Sequence, residues 1–177
     1  MITISLHQPW ASFMAYGLKQ LETRDWKPYQ LSRLKEEGLL IQAAKTMNRQ
    51  MKALCSHEPY ASALDEIGMS IEDLPLGCIV AKCRVIDALP TALVDEVSIA
   101  QYSSSAYEYG LGNYGPNRFF WICRDLLRAS QPIEASGSQK FWHFELPDYA
   151  LNPDFWLLAS DRSPMPVVQT MTQLSLL

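Results

Sequence analysis

The first 26 residues of the chain constrain its fold more than any other stretch. Ile2–Leu6 alternates along its length and is rich in β-branched residues, a pattern that is typical of a strand. Pro9 and Gly17 then bracket a short helix over residues 9–16, because proline is favoured at the first helical position and glycine just past the last one. Alternation resumes over residues 20–26. The stretch therefore predicts a strand, a helix and a second strand in close succession.

The rest of the chain is richer in strand patterns than in helix patterns. Further strands are predicted over residues 38–44, 77–89, 118–127 and 140–146, an interrupted helix over 48–67, and connections over 27–37 and 102–117. Strands do not alternate one for one with helices, which disfavours a parallel doubly wound sheet. The pattern predicts an α+β fold, a small mixed or antiparallel β-barrel with two to four flanking helices.

The length of 177 residues suits one domain. Prolines recur from residue 147 onward, which favours extended backbone there. We expect the domain to span residues 1–147. Residues 148–177 are predicted to form an extended C-terminal extension that packs on the domain or trails from it.

The composition is that of an ordinary globular protein, with 48% hydrophobic and 19% charged residues. No apolar run approaches the roughly 18–20 residues that span a bilayer. The N-terminus has neither the basic region nor the apolar region of a secretory signal. The sequence therefore predicts a cytoplasmic location and no membrane partner, and it leaves the oligomeric state open.

The four cysteines form no CxxC pair and have no close histidine partner. This spacing disfavours a zinc site, so we predict free, partly buried thiols and neither a metal nor a cofactor. Cys78 and Cys83 fall in one predicted strand. Their odd separation predicts that they point to opposite faces of it.

The charge is unevenly distributed along the chain. The formal net charge is −4, yet residues 17–52 hold eight lysines and arginines against four acidic residues. One basic segment on an acidic body can steer a phosphate-bearing ligand to one place. The plain alternative is a solvated, charged face.

Lys19, Glu22 and Arg24 are the best candidate constellation. On the predicted strand Glu22 and Arg24 share a face, so they can pair while Lys19 reaches over from the preceding turn. Three uses remain open at this point. The residues can form a structural ion-pair network, an anion cradle with Arg24 as bidentate donor, or a catalytic group with Lys19 as base or nucleophile.

The five tryptophans are core anchors by default, but one or two can stack on a base, because every base has a π face. The sequence alone does not select which of them do so. His7 lies at the turn between the first strand and the helix and is a further candidate for lining a pocket.

The charged segment carries a family likeness. Residues 5–11 (SLHQPWA) and 17–24 (GLKQLETR) resemble the ASCH domain, the activating-signal-cointegrator homology family, whose signature reads GxKxxExR. Later blocks are similar to further strands of that family: residues 40–45 (LIQAAK), 77–81 (GCIVA), 114–121 (YGPNRFFW) and 132–142 (PIEASGSQKFW). The likeness covers about residues 2–145.

The resemblance implies a PUA-like β-barrel with a cleft floored by the GxKxxExR segment. In family terms Lys19, Glu22 and Arg24 line the cleft, and Lys45 and Gln139 lie at its rim. Members of the family are associated with RNA binding, with transcriptional coactivator complexes and with enzymatic work on RNA or modified nucleosides.

The leading interpretation is therefore an RNA- or nucleotide-binding protein. Lys19, Arg24 and Lys45 would hold phosphate, while Trp10 or Trp26 would stack a base.

Two alternatives accompany it. The first is a small enzyme, either an amidohydrolase of the N4-acylcytidine type or a ribonuclease, that uses Lys19 and Glu22. In the family's amidohydrolase branch a threonine stands where this chain has Glu22. The second is a protein-interaction adaptor whose cleft is blocked by side chains.

Overall fold

The computed structural model describes residues 1–163 and residue 165. Seven strands lie in this part: β1 (Ile2–Leu6), β2 (Leu21–Arg24), β3 (Leu39–Ala43), β4 (Cys78–Pro90), β5 (Phe119–Glu134), β6 (Phe141–His143) and β7 (Trp156–Leu158). Six α-helices accompany them: α1 (Trp10–Ala15), α2 (Leu31–Glu36), α3 (Arg49–Leu54), α4 (Tyr60–Glu66), α5 (Glu108–Leu111) and α6 (Asp148–Leu151).

All seven strands join one mixed sheet. Its order is β2-β5-β4-β3-β1-β6, and β7 pairs with β5 beside this path. The pair β1–β3 is parallel and the other pairs are antiparallel. The sheet curls into a half-barrel with helices around it, so the predicted α+β class and mixed β-architecture are confirmed.

The first strand and helix follow the predicted pattern closely. β1 has the predicted bounds, and α1 lies inside the predicted helix. Pro9 occupies the position before the first helical residue, and the Gln8 side chain closes the turn by accepting a hydrogen bond from the Ser12 amide at 3.1 Å. Gly17 ends the helix with a φ of +72°, a conformation that favours glycine. A Cβ on Gly17 would lie 3.3 Å from the Cβ of Ala159.

Helices are shorter and more numerous than expected in the described residues. The predicted helix over residues 48–67 is two helices, α3 and α4, because a turn precedes Pro59. The predicted connections over residues 27–37 and 102–117 each contain a short helix, α2 and α5. Among the described residues, no helix is long and apolar enough to cross a membrane.

Two apolar clusters cover the two faces of the central strands. The larger one joins the sheet to helices α1, α2 and α4 and includes Ile4, Phe13, Leu34, Ile41, Leu64 and Val80. The smaller one lies under the C-terminal segment and includes Leu40, Ile79, Ala129, Ile133 and Trp156. Leu40 and Ile41 of β3, and Ile79 and Val80 of β4, thus enter different clusters, as the alternation of a strand requires.

The prediction that Cys78 and Cys83 point to opposite faces is wrong. Both thiols lie in the larger cluster. The pairing of β3 with β4 sets Ile41 opposite Ala81 and Gln42 opposite Ile79, so Val80 is an extra residue in β4. Such a bulge reverses the alternation beyond it. All four cysteines are free and buried, as predicted for reduced thiols.

The C-terminal segment adds to the sheet as far as it is described. β7 pairs antiparallel with β5, with Ala129 opposite Trp156, and Trp156 is buried in the smaller cluster. Lys82 lies 4.4 Å from the centroid of the Trp156 ring. Residues 166–177, which complete the predicted extension, lie outside the described residues. The division at residue 147 stays a prediction.

We expect the buried Cys78 thiol to make the fold sensitive to alkaline pH. Burial raises the pKa of Cys78 from 9.0 to about 12. Between these values the unfolded chain loses a proton that the folded chain keeps, so stability present below pH 9 is lost as the pH rises. In urea titrations, the stability difference between the wild type and Cys78→Ala should narrow by about 1 kcal/mol from pH 9 to pH 10. A difference that stays constant over this range would contradict the assignment.

Candidate functional site

A cavity of about 680 Å³ opens where β1, β2 and the segment before β6 meet. Its volume is in the range typical of small-molecule and cofactor sites. Six of the seven site residues predicted from the sequence line it: Trp10, Lys19, Glu22, Arg24, Trp26 and Gln139. His7 lines it too. The structure therefore brings the N-terminal motif and the distant Gln139 together around one space.

Lys45 is the predicted site residue that the structure places elsewhere. The preceding residue, Ala44, lines the cavity, whereas Lys45 is exposed. The Lys45 side chain lies against Gly77, with its Cγ 3.1 Å from the place of a Cβ on that glycine. A contact between Lys45 and a ligand stays a prediction.

Lys19 is a buried cation at the inner end of the cavity. The residue is 1% exposed, and its ammonium donates to the backbone carbonyl of Leu21. The Nζ atom also lies 3.5 Å from Oε1 of Glu108, whose side chain is fully buried. A buried charge needs a partner, so Glu108 is what allows Lys19 to occupy this position.

Glu108 holds several groups besides Lys19. Its Oε2 accepts hydrogen bonds from the backbone N–H of Gln20 at 2.5 Å and from the Ser103 hydroxyl at 3.0 Å. Its Oε1 accepts one from the Tyr114 hydroxyl at 2.9 Å. Burial, and then the Glu108 charge, raise the pKa of Tyr114 far above its usual range, so the phenol remains a donor. One carboxylate thus ties the loop over residues 102–117 to the start of β2.

Glu22 and Arg24 form the second ion pair of the site, as the strand pattern predicts. Arg24 Nε lies 2.8 Å from Glu22 Oε1, and the Arg24 Nη2 donates to the Ser5 carbonyl at 3.1 Å. The Glu22 side chain is 9% exposed and the Arg24 side chain 26%. Arg24 therefore keeps part of its side chain accessible in the lining of the cavity.

The two tryptophans are held by hydrogen bonds and by other rings. Trp10 donates its indole N–H to the Leu111 carbonyl at 2.8 Å. The Trp26 ring centroid lies 4.8 Å from that of Trp121, edge to face, and the Trp121 indole donates to the Trp26 carbonyl at 3.2 Å. Both tryptophans are partly buried and line the cavity, which is the position that the stacking hypothesis requires.

Sequence reasoning missed two further cations of the lining and the carboxylate behind it. Arg118 and Lys140 line the cavity, and Glu108 lies behind Lys19. Arg118 precedes β5, whose antiparallel pairing with β2 sets Phe119 opposite Arg24. The available signal for Glu108 was that it is an isolated acidic residue in a stretch rich in serine and tyrosine.

Among residues 1–163 and 165, no group of three histidine, cysteine or acidic side chains is placed to hold a metal ion.

We expect Glu108→Gln to lower the free energy of unfolding by about 3 kcal/mol, because the amide leaves the Lys19 ammonium buried without a counter-charge. Adding Lys19→Met should recover more than half of that loss, since the unpaired charge is then gone. Urea denaturation measures both variants. The matched control is Glu37→Gln, which breaks the exposed Arg33–Glu37 pair and should change stability by less than about 1 kcal/mol. Equal losses from the two glutamine variants would contradict this account of Glu108.

Comparisons with known proteins give structural neighbours only. No protein-family model matches the chain, and no curated protein is significantly similar to it. A crystal structure of ASCH from Zymomonas mobilis matches with a TM-score of 0.41 and 14% identity, over 81% of this chain and 87% of that one. Two single-residue mutants of the Zymomonas mobilis protein match with TM-scores of 0.37, at 16% and 14% identity. They cover 75% of this chain and 72% and 74% of theirs. These three solved structures are of an ASCH protein, the family that the N-terminal motif of this chain resembles.

Proposed function

We propose that this protein binds RNA or a nucleotide in the cavity over the N-terminal motif. The observation that carries the proposal is that one space unites a surplus of cationic side chains with two tryptophans. Cations attract phosphate, and aromatic rings stack on bases. These are the two groups that every nucleotide presents.

The charge of the lining supports an anionic ligand. Lys19, Arg24, Arg118 and Lys140 line the cavity against two acids, Glu22 and Asp25, although the whole chain has a formal net charge of −4. A cationic cavity in an acidic protein concentrates anions at one place.

Arg118 and Lys140 are the cations most available to a ligand. Neither forms an ion pair within the described part of the chain, whereas Lys19 pairs with Glu108 and Arg24 pairs with Glu22. The Arg118 guanidinium donates to backbone carbonyls, including that of Thr23 at 3.0 Å, which orient it without neutralising its charge. Phosphate recognition by such an arginine uses its planar fork of donors.

The two alternatives receive less support from the geometry. An enzyme that uses Lys19 as base or nucleophile needs a free amine, and the Lys19 ammonium is occupied by the Leu21 carbonyl and by Glu108. An adaptor with a blocked cleft would have side chains in the space of about 680 Å³ that is open here. Binding is therefore the function that we propose.

Titration with nucleosides, nucleotides and short single-stranded RNAs at low and high salt tests the proposal. Tryptophan fluorescence reports binding, because Trp10 and Trp26 line the cavity. We expect nucleotides and RNA to bind, nucleosides to bind more weakly, and the affinity of the phosphate-bearing ligands to fall as salt rises. Absence of binding by all of these ligands would refute the proposal.

The variant Arg118→Gln should weaken nucleotide binding about tenfold or more, as expected for loss of a charge-assisted hydrogen bond. The slope of the logarithm of the binding constant against the logarithm of the salt concentration should also become shallower by about one. Lys52→Gln is the matched control, because Lys52 is an exposed cation of the same chain on α3, outside the lining. Thermal denaturation of both variants checks that the fold is intact. Equal effects of the two substitutions would place the ligand outside the cavity.

A further inference from the structure

We propose that the binding surface continues from the cavity onto Tyr29, and that the ligand is a single-stranded RNA of at least two nucleotides. This inference rests on the proposed function and makes its ligand a polymer rather than a free nucleotide. Tyr29 would stack the base next to the one held in the cavity.

Tyr29 is an exposed ring in a fixed position. The residue is 64% exposed, yet two other rings hold it. It stacks on Trp26 with centroids 6.1 Å apart and planes 30° apart, and it meets Phe141 edge to face at 5.3 Å. A ring that is both fixed and open to solvent offers a π surface whose ordering is already complete before a ligand arrives.

The Tyr29 ring is continuous with the cavity through Trp26. Trp26 lines the cavity and touches Tyr29, and it is itself fixed against the fully buried Trp121. The same aromatic group therefore reaches from the buried core, past the cavity wall, to the surface. Bases that follow one another along a strand can stack on such neighbouring positions.

A cation lies beside this passage. Lys140 lines the cavity and directly precedes Phe141, which is the ring against Tyr29. It is exposed and has a φ of +55°, in the left-handed region that a lysine seldom adopts. Strained backbone of this kind is concentrated at functional sites. The position suits a phosphate that links a nucleotide in the cavity to one on Tyr29.

The surface chemistry favours RNA over a protein segment as the occupant. Lys27, two residues before Tyr29 in the chain, is a second exposed cation, with its Nζ 5.2 Å from the centroid of the Phe119 ring. Aromatic platforms flanked by cations that follow a backbone are the usual means of holding single-stranded nucleic acid.

Calorimetric titration with the four nucleoside 5′-monophosphates and the corresponding homotrinucleotides tests the inference. The best trinucleotide should bind the wild type about tenfold or more tightly than its monophosphate, as base stacking on an aromatic ring predicts. Tyr29→Ala should remove this gain and leave monophosphate binding unchanged, whereas Tyr29→Phe should keep the gain because the ring remains. For trinucleotide binding, Lys140→Gln should make the slope of the logarithm of the binding constant against the logarithm of the salt concentration shallower by about one.

Tyr149→Ala is the matched control, since Tyr149 is another exposed tyrosine, on α6, at 52% exposure and outside the cavity lining. Equal affinities for monophosphate and trinucleotide, or equal losses from the two alanine variants, would overturn the inference. A different result separates the two proposals: monophosphates bind, Arg118→Gln weakens their binding, and trinucleotides bind no more tightly than monophosphates. In that case the proposed function stands and the proposed role of Tyr29 fails. If no ligand binds the wild type, both fail.

Discussion

The buried pair of Lys19 and Glu108 is the interaction on which the rest of the site depends. It places a positive charge at the inner end of a cavity while a carboxylate from a distant loop neutralises it. The same carboxylate binds the amides at the start of β2, so the strand that carries Glu22 and Arg24 begins where Glu108 holds it. A buried ion pair adds little net stability over an apolar pair, but losing one partner is costly. The pair therefore determines where the Lys19 charge and the start of β2 lie, and it adds little net stability.

Much of the fold near the N-terminus follows from local signals that the sequence displays. β1 has its predicted bounds, because β-branched residues alternate there, and α1 lies between the proline and the glycine that bracket it. The pairing of Glu22 with Arg24 follows from the two-residue period of a strand. Each of these features is decided by residues within a few positions of one another.

The features that could not be predicted depend on distant parts of the chain. Arg118 reaches the cavity because β5 pairs with β2, and Glu108 reaches Lys19 because α5 lies against the start of β2. Local patterns carry no information on either approach. The two thiols of β4 show a second limit, since the bulge at Val80 is set by the pairing with β3 and reverses the alternation that the sequence suggests. Position in space, rather than residue type, is what the sequence leaves open.

Gly17 is a residue of the motif that the fold itself requires, independently of any ligand. Its positive φ ends α1, and its missing side chain leaves room for Ala159, which follows β7. The glycine that begins the GxKxxExR segment therefore meets two structural requirements, the positive φ and the space for Ala159. An invariant glycine at this position in a set of related sequences would be explained by backbone geometry and by contact with the C-terminal segment. Evolutionary constraint there would report on folding, and the search for binding specificity would turn to the charged and aromatic positions around it.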